Sequence, residues 1–257
     1  MSDRKAPTSL KLEFSKAADY NRVYQFFDPK LKDEIDTANY ITTRIEDDLR
    51  KAINNGCATF LSNDKGDAMT LVIDYQIHMK DNPAKGERHD YTELATVMSR
   101  VDMRGFQSAT LVVAATALKE WWAHPPKTAL MTSIEHDNIP PQRMSKALSW
   151  SPVKDPAVIE DLLEAVYKSA VEDIPTEQEE RDKIDFFICG DQAIMTQAKV
   201  LLHYMDLGKI TNPKTGHAIS LDLSALDRVG LTKLRLEAIA NGNLSRDSLK
   251  KIKPPAP

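Results

Sequence analysis

The sequence predicts an α/β fold with a mixed sheet (α+β in character), followed by a mostly helical C-terminal extension. Three observations predict it. Strand and helix signals alternate up to about residue 150. Helical stripes dominate after about residue 155. Hydrophobic residues fill 42% of the 257 positions, enough for a sizeable core.

The elements follow in order. Leu10, Leu12 and Phe14 alternate with Lys11 and Glu13, the period of a half-buried strand. Tyr20, Val23, Tyr24 and Phe27 share one helical face across Lys16 to Phe27, with Ser15 placed as N-cap and Pro29 beyond the end. A second helix is predicted from about Thr42 to Asn54, with Ile45, Leu49 and Ile53 on one stripe. Asn55-Gly56 ends it, because glycine takes the left-handed conformation a helix terminus needs.

Cys57 to Leu61 and the β-branched run Met69 to Ile77 flank the turn Asn63-Asp64-Lys65-Gly66, which makes a hairpin. Residues 80–90 read as a loop and Tyr91 to Met98 as the next strand. Phe106 to Trp122 reads as a long helix stopped by Pro125-Pro126. Thr128 to Ile134 reads as a strand and Pro140 to Leu148 as a helix.

Beyond residue 153 the pattern shifts, so residues 1–153 are assigned to one domain and 154–257 to the extension. Pro156 to Val171 is an amphipathic helix, followed by an acidic stretch from Pro175 to Asp185 read as a solvated segment. Phe186 to Cys189 is a compact strand. Gln192 to Leu207 is a helix closed by Gly208. Asn212 to Gly216 is a turn with a strand after it, His217 to Leu223. Leu231 to Ala240 is the last helix, and the Lys- and Pro-rich tail reads as solubilising charge. The strand near Phe186 either returns to the sheet as its last member, or residues 155–257 form a small separate unit that covers an acceptor cleft or makes a homodimer contact.

Composition narrows the classes of function. The net charge is −4, which supplies no global basic field for nucleic acid or an anionic membrane. Only Cys57 and Cys189 are present, too few for a disulfide framework or a four-cysteine zinc site, and a reducing compartment is the simplest reading. Met1 to Leu10 has no apolar signal core, and no run reaches the ~18 apolar residues of a membrane helix. The expected location is the cytoplasm.

The segment Arg104-Gly105-Phe106-Gln107-Ser108-Ala109 joins the strand at Tyr91–Met98 to the long helix. Unpaired backbone N–H groups at such a helix start form an anion site able to seat a pyrophosphate. Together with the element order over residues 10–150, this segment resembles the GNAT superfamily of acyl-CoA-dependent N-acyltransferases. The family's acyl-CoA motif has Arg or Gln, two residues, Gly or Ala, one residue, then Gly or Ala. Arg104 and Ala109 fit, and Gln107 stands at the middle position. Further on, Asn138 occupies the family's Asn position, Ser145 stands where the family has Tyr, and Ser149-Trp150 stands where it has Gly-Phe.

The resemblance implies a strongly twisted, splayed sheet and a set of roles. The backbone at Val97, Met98 and Ser99 would pair with the pantetheine arm as an added strand. The backbone of Arg104, Gly105, Phe106, Gln107, Ser108, Ala109 and Thr110 would hold the pyrophosphate. Asn138 would contact the arm or fix the splayed strands. Glu93 matches the position of a Glu that some members carry, and would be the base that takes the ammonium proton. The alternative for Glu93 is a strand-edge carboxylate facing water. Ser145 would stand in for the phenol that protonates the CoA thiolate, although a hydroxyl is a far weaker acid than a phenol of pKa about 10; Tyr167 and Tyr204 are the alternative donors.

The implied co-substrate is acetyl-CoA or another acyl-CoA, with no metal. The implied acceptor is a primary amine on a small molecule, or on a peptide or protein. Opposed to this stands a binding or structural module of the same fold, without chemistry and with its cleft covered by the extension. A third option is acyl transfer to a carrier-protein or peptide partner docked on the extension.

The six histidines show no metalloprotease spacing. His136-Asp137 and His89-Asp90 read as surface pairs bordering the candidate cleft. Cys57 and Cys189 read as buried hydrophobes, and Trp121-Trp122 as core packing.

Overall fold

The computed structural model describes residues 7–28, 35, 46–78, 90–123, 128–167 and 181–244. Several expectations lie outside these residues: the start of the second helix before Glu46, the loop with His89, the His124-Pro125-Pro126 stop, most of the acidic stretch, and the basic tail.

Nine strands form one mixed sheet: β1 (Ser9–Phe14), β2 (Ala58–Asn63), β3 (Ala68–His78), β4 (Asp90–Ser99), β5 (Thr128–Glu135), β6 (Ser151–Pro152), β7 (Ile184–Cys189), β8 (Lys209–Thr211) and β9 (Ala218–Asp222). Their spatial order is β6-β7-β5-β4-β3-β2-β1-β9-β8. β1 to β4 form an antiparallel meander, β4 and β5 are parallel, and β7 returns antiparallel to β5. At the other end β9 lies parallel to β1, with Leu10 opposite Leu221. The extension therefore contributes strands to both ends of the sheet.

The helices are α1 (Tyr20–Tyr24), α2 (Glu46–Asn54), α3 (Ser108–Ala123), α4 (Ile139–Ala147), α5 (Pro156–Tyr167), α6 (Asp191–Leu207), α7 (Ala225–Arg228) and α8 (Lys233–Ala240). They form layers on both faces of the sheet. α3, α6 and α8 bury Leu111, Leu118, Leu201 and Leu236 in the largest core, on one face. α1 and α2 bury Val23, Leu49 and Ile53 against Phe60 and Leu71 on the other. α5 adds Leu162, Leu163 and Val166 against Met131 and Phe186. No helix among the described residues is long and apolar enough to cross a membrane.

Local chemistry explains most boundaries. Gly56 and Gly208 end α2 and α6 with positive φ, as expected. Ser15 is a correction, because it caps no helix. Its Oγ donates to Ile53 O at 2.8 Å and accepts the Ala58 N–H at 3.2 Å, tying α2 to β2. The helix start is served instead by the Asp19 carboxylate, which accepts the Lys16 N–H at 2.9 Å. The predicted single helix from Lys16 to Phe27 is a short α-helix with a 3-10 turn at each end.

α3 is apolar all round, which fits a helix buried on most sides, yet it contains Lys119 and Glu120. The Lys119 ammonium lies 2.9 Å from Glu120 Oε1 and 3.6 Å from Asp74 Oδ1, and donates to Gly56 O at 2.8 Å. Asp74 is fully buried. Burial pushes its carboxyl up to about 7 even though the ammonium opposes the shift. Cys57 borders this group. Burial first and the Asp74 charge second push its thiol up to about 12, so it stays an unreactive thiol at neutral pH.

Candidate active site

The parallel ladder between β4 and β5 is short. It pairs Asp90 with Thr128 and ends at Glu93 opposite Met131, although β4 continues to Ser99 and β5 to Glu135. Past Glu93 the two strands part. Thr132 lies just past the end of the ladder, and its side-chain Oγ1 donates to Leu94 O at 2.9 Å.

β4 is also irregular here. Ile73 of β3 pairs with Thr96 while Asp74 pairs with Leu94, so Ala95 has no opposite residue. A bulge of this kind leaves its extra residue out of the ladder and bends the strand.

The parting opens a cleft between the two strands. Its wall includes Glu93, Ala95 and Val97 of β4 and Thr132 and Ser133 of β5. On one side it meets Val166, Tyr167 and Phe186, which belong to or pack against the α5 core. On the other it meets Val113, Leu148 and Trp150, of the α3 core or packed within it. The cleft therefore passes through the sheet from one helical layer to the other.

Glu93 is fully buried, so the reading of a solvent-facing strand-edge carboxylate is corrected. Alternation places it on the face away from Leu94, opposite Tyr75 on β3. Ser133 Oγ donates to Glu93 Oε1 at 2.6 Å. Asn138, just before α4, and Ser145, within it, are both buried and both line the cleft. Of the two tyrosines considered as proton donors, Tyr167 lines the cleft. Tyr204 is on α6, and its hydroxyl donates to Gln107 Oε1 at 3.3 Å. Met98 is buried in the core against α2, and the Ser99 hydroxyl lies 3.3 Å from Thr70 Oγ1.

The turn before α3 has the geometry of an anion seat. The Arg104 and Phe106 N–H groups bond back to Val101 O and Met103 O. No backbone partner among the described residues takes the N–H groups of Gly105, Gln107, Ser108, Ala109 or Thr110. Gly105 needs its φ of +83°, and Gln107 follows at +57°, an uncommon conformation for a side-chain-bearing residue. Ser149 has φ +61°. These are the two positive-φ residues other than glycine among those described. Both residues therefore hold the left-handed backbone that usually favours glycine. The Gln107 side chain turns to Tyr204, and Gln107 is not part of the cleft wall.

The extension buttresses this turn. Asn212, between β8 and β9, donates from Nδ2 to Arg104 O at 3.0 Å, and the His217 ring meets Phe106 edge-on at 5.9 Å.

His136 is a surface residue as read, but its ring pairs with Asp185 at 3.0 Å rather than with the adjacent Asp137. Trp121 is core, while Trp122 lies under the Arg235 guanidinium at 4.8 Å. Among the described residues no three His, Cys, Asp or Glu side chains cluster as a metal site.

Sequence reasoning missed Ala95, Thr132 and Ser133. The one available signal for Ser133 was a buried-strand Glu in need of a donor, with hydroxyl residues in the next strand.

No family model and no curated protein matches the sequence. Solved structures share the fold at low sequence identity. Arabidopsis thaliana NAA60 in complex with acetyl-CoA matches with a TM-score of 0.43 at 13% identity, over 57% of this chain and 88% of that one. The NatC complex bound to Gag peptide and CoA gives 0.45 at 10%, over 70% and 96%. The diaminobutyrate acetyltransferase EctA of Paenibacillus lautus, in complex with L-2,4-diaminobutyric acid and coenzyme A, gives 0.43 at 11%, over 70% and 94%.

Proposed function

We propose that this protein is an acyl-CoA-dependent N-acyltransferase that moves an acetyl group from acetyl-CoA to a primary amine by direct attack in a ternary complex. The observation that carries the reading is the cleft through the sheet where β4 and β5 part, with buried Glu93 in its wall.

Each part of the cleft has work in this reaction. The pantetheine arm would lie along β4 at Ala95 and Val97 as a surrogate strand, and the diphosphate would rest on the N–H groups that open α3. Backbone N–H groups of β4 would polarise the thioester carbonyl and stabilise the oxyanion that forms on attack. The amine would enter from the α5 side. Glu93 accepts its ammonium proton, directly or through a water, so that the nitrogen lone pair can attack. The C–N bond forms, the nitrogen gives up its surplus proton to water, the tetrahedral intermediate collapses, the C–S bond breaks and the thiolate leaves, giving the amide. Tyr167 supplies the better proton donor for that thiolate because it is a phenol at the cleft wall; Ser145 is the alternative. The acceptor amine belongs to a small molecule, or to a peptide or protein.

The test is titration calorimetry with acetyl-CoA together with turnover of the Glu93→Gln variant. Binding is expected in the micromolar range, and Glu93→Gln should keep that affinity while losing ~100-fold or more in turnover. No heat at hundreds of micromolar acetyl-CoA would remove the enzyme reading.

Ser145 at the position of the family's phenol, with Gln107 at a glycine position, favours a second reading. In it the fold is a binding or structural module that performs no chemistry. Acetyl-CoA binding without turnover in either protein is its signature.

A further inference from the structure

We infer that Ser133 is a positioning residue for Glu93, and that the parting of β4 from β5 is what lets it serve. This rests on the reading of Glu93 as the base. Glu93 is the last residue of β4 paired with β5, opposite Met131. Ser133 lies two residues farther along β5, on the stretch that has left the ladder, and its Oγ sits 2.6 Å from Glu93 Oε1. Thr132 Oγ1, one residue earlier, holds Leu94 O at 2.9 Å. Two consecutive hydroxyls thus hold the apex of the opening, one on the strand backbone and one on the carboxylate.

Both Ser133 and Glu93 border the cleft, so the bond fixes the carboxylate at the place where an amine would meet it. A carboxylate on a strand has rotatable side-chain bonds. A charge-assisted hydrogen bond of this length limits which way its oxygens face. Catalytic groups need their orientation held closely by such a supporting bond, since small misplacements are costly in rate. Ser133 itself forms and breaks no bond to the substrate. Its effect passes through Glu93.

The experiment is a double-mutant cycle on Glu93→Gln and Ser133→Ala, read as CoA release from acetyl-CoA across a panel of primary amines and one peptide amine. Acetyl-CoA affinity is measured in parallel. Ser133→Ala is expected to lower kcat by about tenfold or more, with KM and acetyl-CoA affinity within about twofold of wild type. In the Glu93→Gln background the same substitution should change the residual rate by less than about twofold, because a residue acting through Glu93 has nothing left to orient. Ser133→Thr, which keeps the hydroxyl, should recover most of the rate. Ser133→Cys, close in size but a weaker donor, should reproduce the loss and serves if the alanine variant folds poorly.

Ser133 as a positioning residue is overturned if Glu93→Gln is impaired while Ser133→Ala is not, or if the two losses multiply independently. A wild-type protein that turns over no amine, or a fully active Glu93→Gln, overturns the base assignment and this inference with it.

Discussion

Gly105→Ala tests whether the extension braces the turn that opens α3. Two costs add. The φ of +83° puts any side-chain-bearing residue in the left-handed region, which costs about 1–2 kcal/mol. A Cβ at this position would also meet Asn212 Nδ2 at 2.8 Å. Asn212 cannot easily give way. Its Nδ2 holds Arg104 O, its Oδ1 accepts the Lys214 N–H, and its backbone bonds His217 O and the Gly216 N–H. Overpacking against such a fixed group costs about 1–3 kcal/mol, for a total of roughly 2–5 kcal/mol. In a protein of this size that lowers Tm by about 4–10 °C.

Asn212→Ala alone should cost about 1–2 kcal/mol for the lost hydrogen bonds. The double variant should be less destabilised than the sum by about 1–3 kcal/mol, since the collision is gone and only the backbone strain remains. Urea unfolding of the four proteins measures this directly. Strictly additive losses, or a Gly105→Ala protein as stable as wild type, would refute the argument that β8, β9 and their turn support the start of α3.

Two further outcomes follow from positions described above. Asp74 has a folded pKa pushed up to about 7 from an ordinary 3.8, so the folded state holds a proton that the unfolded chain releases earlier. Stability contributed by that proton is present at low pH and is lost as pH rises from about 4 through 7. Lys119 is shifted upward, so its contribution stays constant below 10.5 and fades only above that. Asp74→Asn should therefore gain about 3 kcal/mol relative to wild type between pH 5 and pH 8 in urea melts; parallel pH profiles would contradict this. At Ser149, φ +61° makes a β-branched residue a strong outlier. Ser149→Val should cost about 2 kcal/mol or more while Ser149→Gly stays within about 1 kcal/mol of wild type, and equal Tm values for the two would refute the strained assignment.

What the sequence revealed was local. The alternation at Leu10, Leu12 and Phe14, the stripe of α2, and the terminators Gly56 and Gly208 each depend on residues within a turn or two of one another. The strand–turn–helix junction at Arg104 to Ala109 was legible for the same reason. The strand pairs β6–β7 and β8–β9 include members of two and three residues, too short for any periodicity to register. Ser15 was misassigned because a hydroxyl ahead of a helix usually caps it, whereas here Ile53 and Ala58, distant in sequence, claim both of its bonding capacities. The parting at Glu93 and Met131 is a matter of register between strands separated by a whole helix, and no single-sequence pattern encodes it. The bulge at Ala95 carries no glycine or proline to mark it. The buried Asp74–Lys119–Glu120 group did leave a trace, a charged pair inside an apolar helix, whose partner on β3 only the fold discloses.

The placement of β1 bears on how the chain must be made. β1 is made before every other strand of the sheet, and β2 can pair with its one edge early. Its other edge is covered by β9, at Ala218–Asp222. During synthesis that apolar-faced ribbon would stay exposed on one side until Ala218–Asp222 has emerged, a template for stray pairing with other nascent chains. Versions cut short before β9 should therefore accumulate as insoluble material even with both strands of the β4–β5 cleft fully encoded.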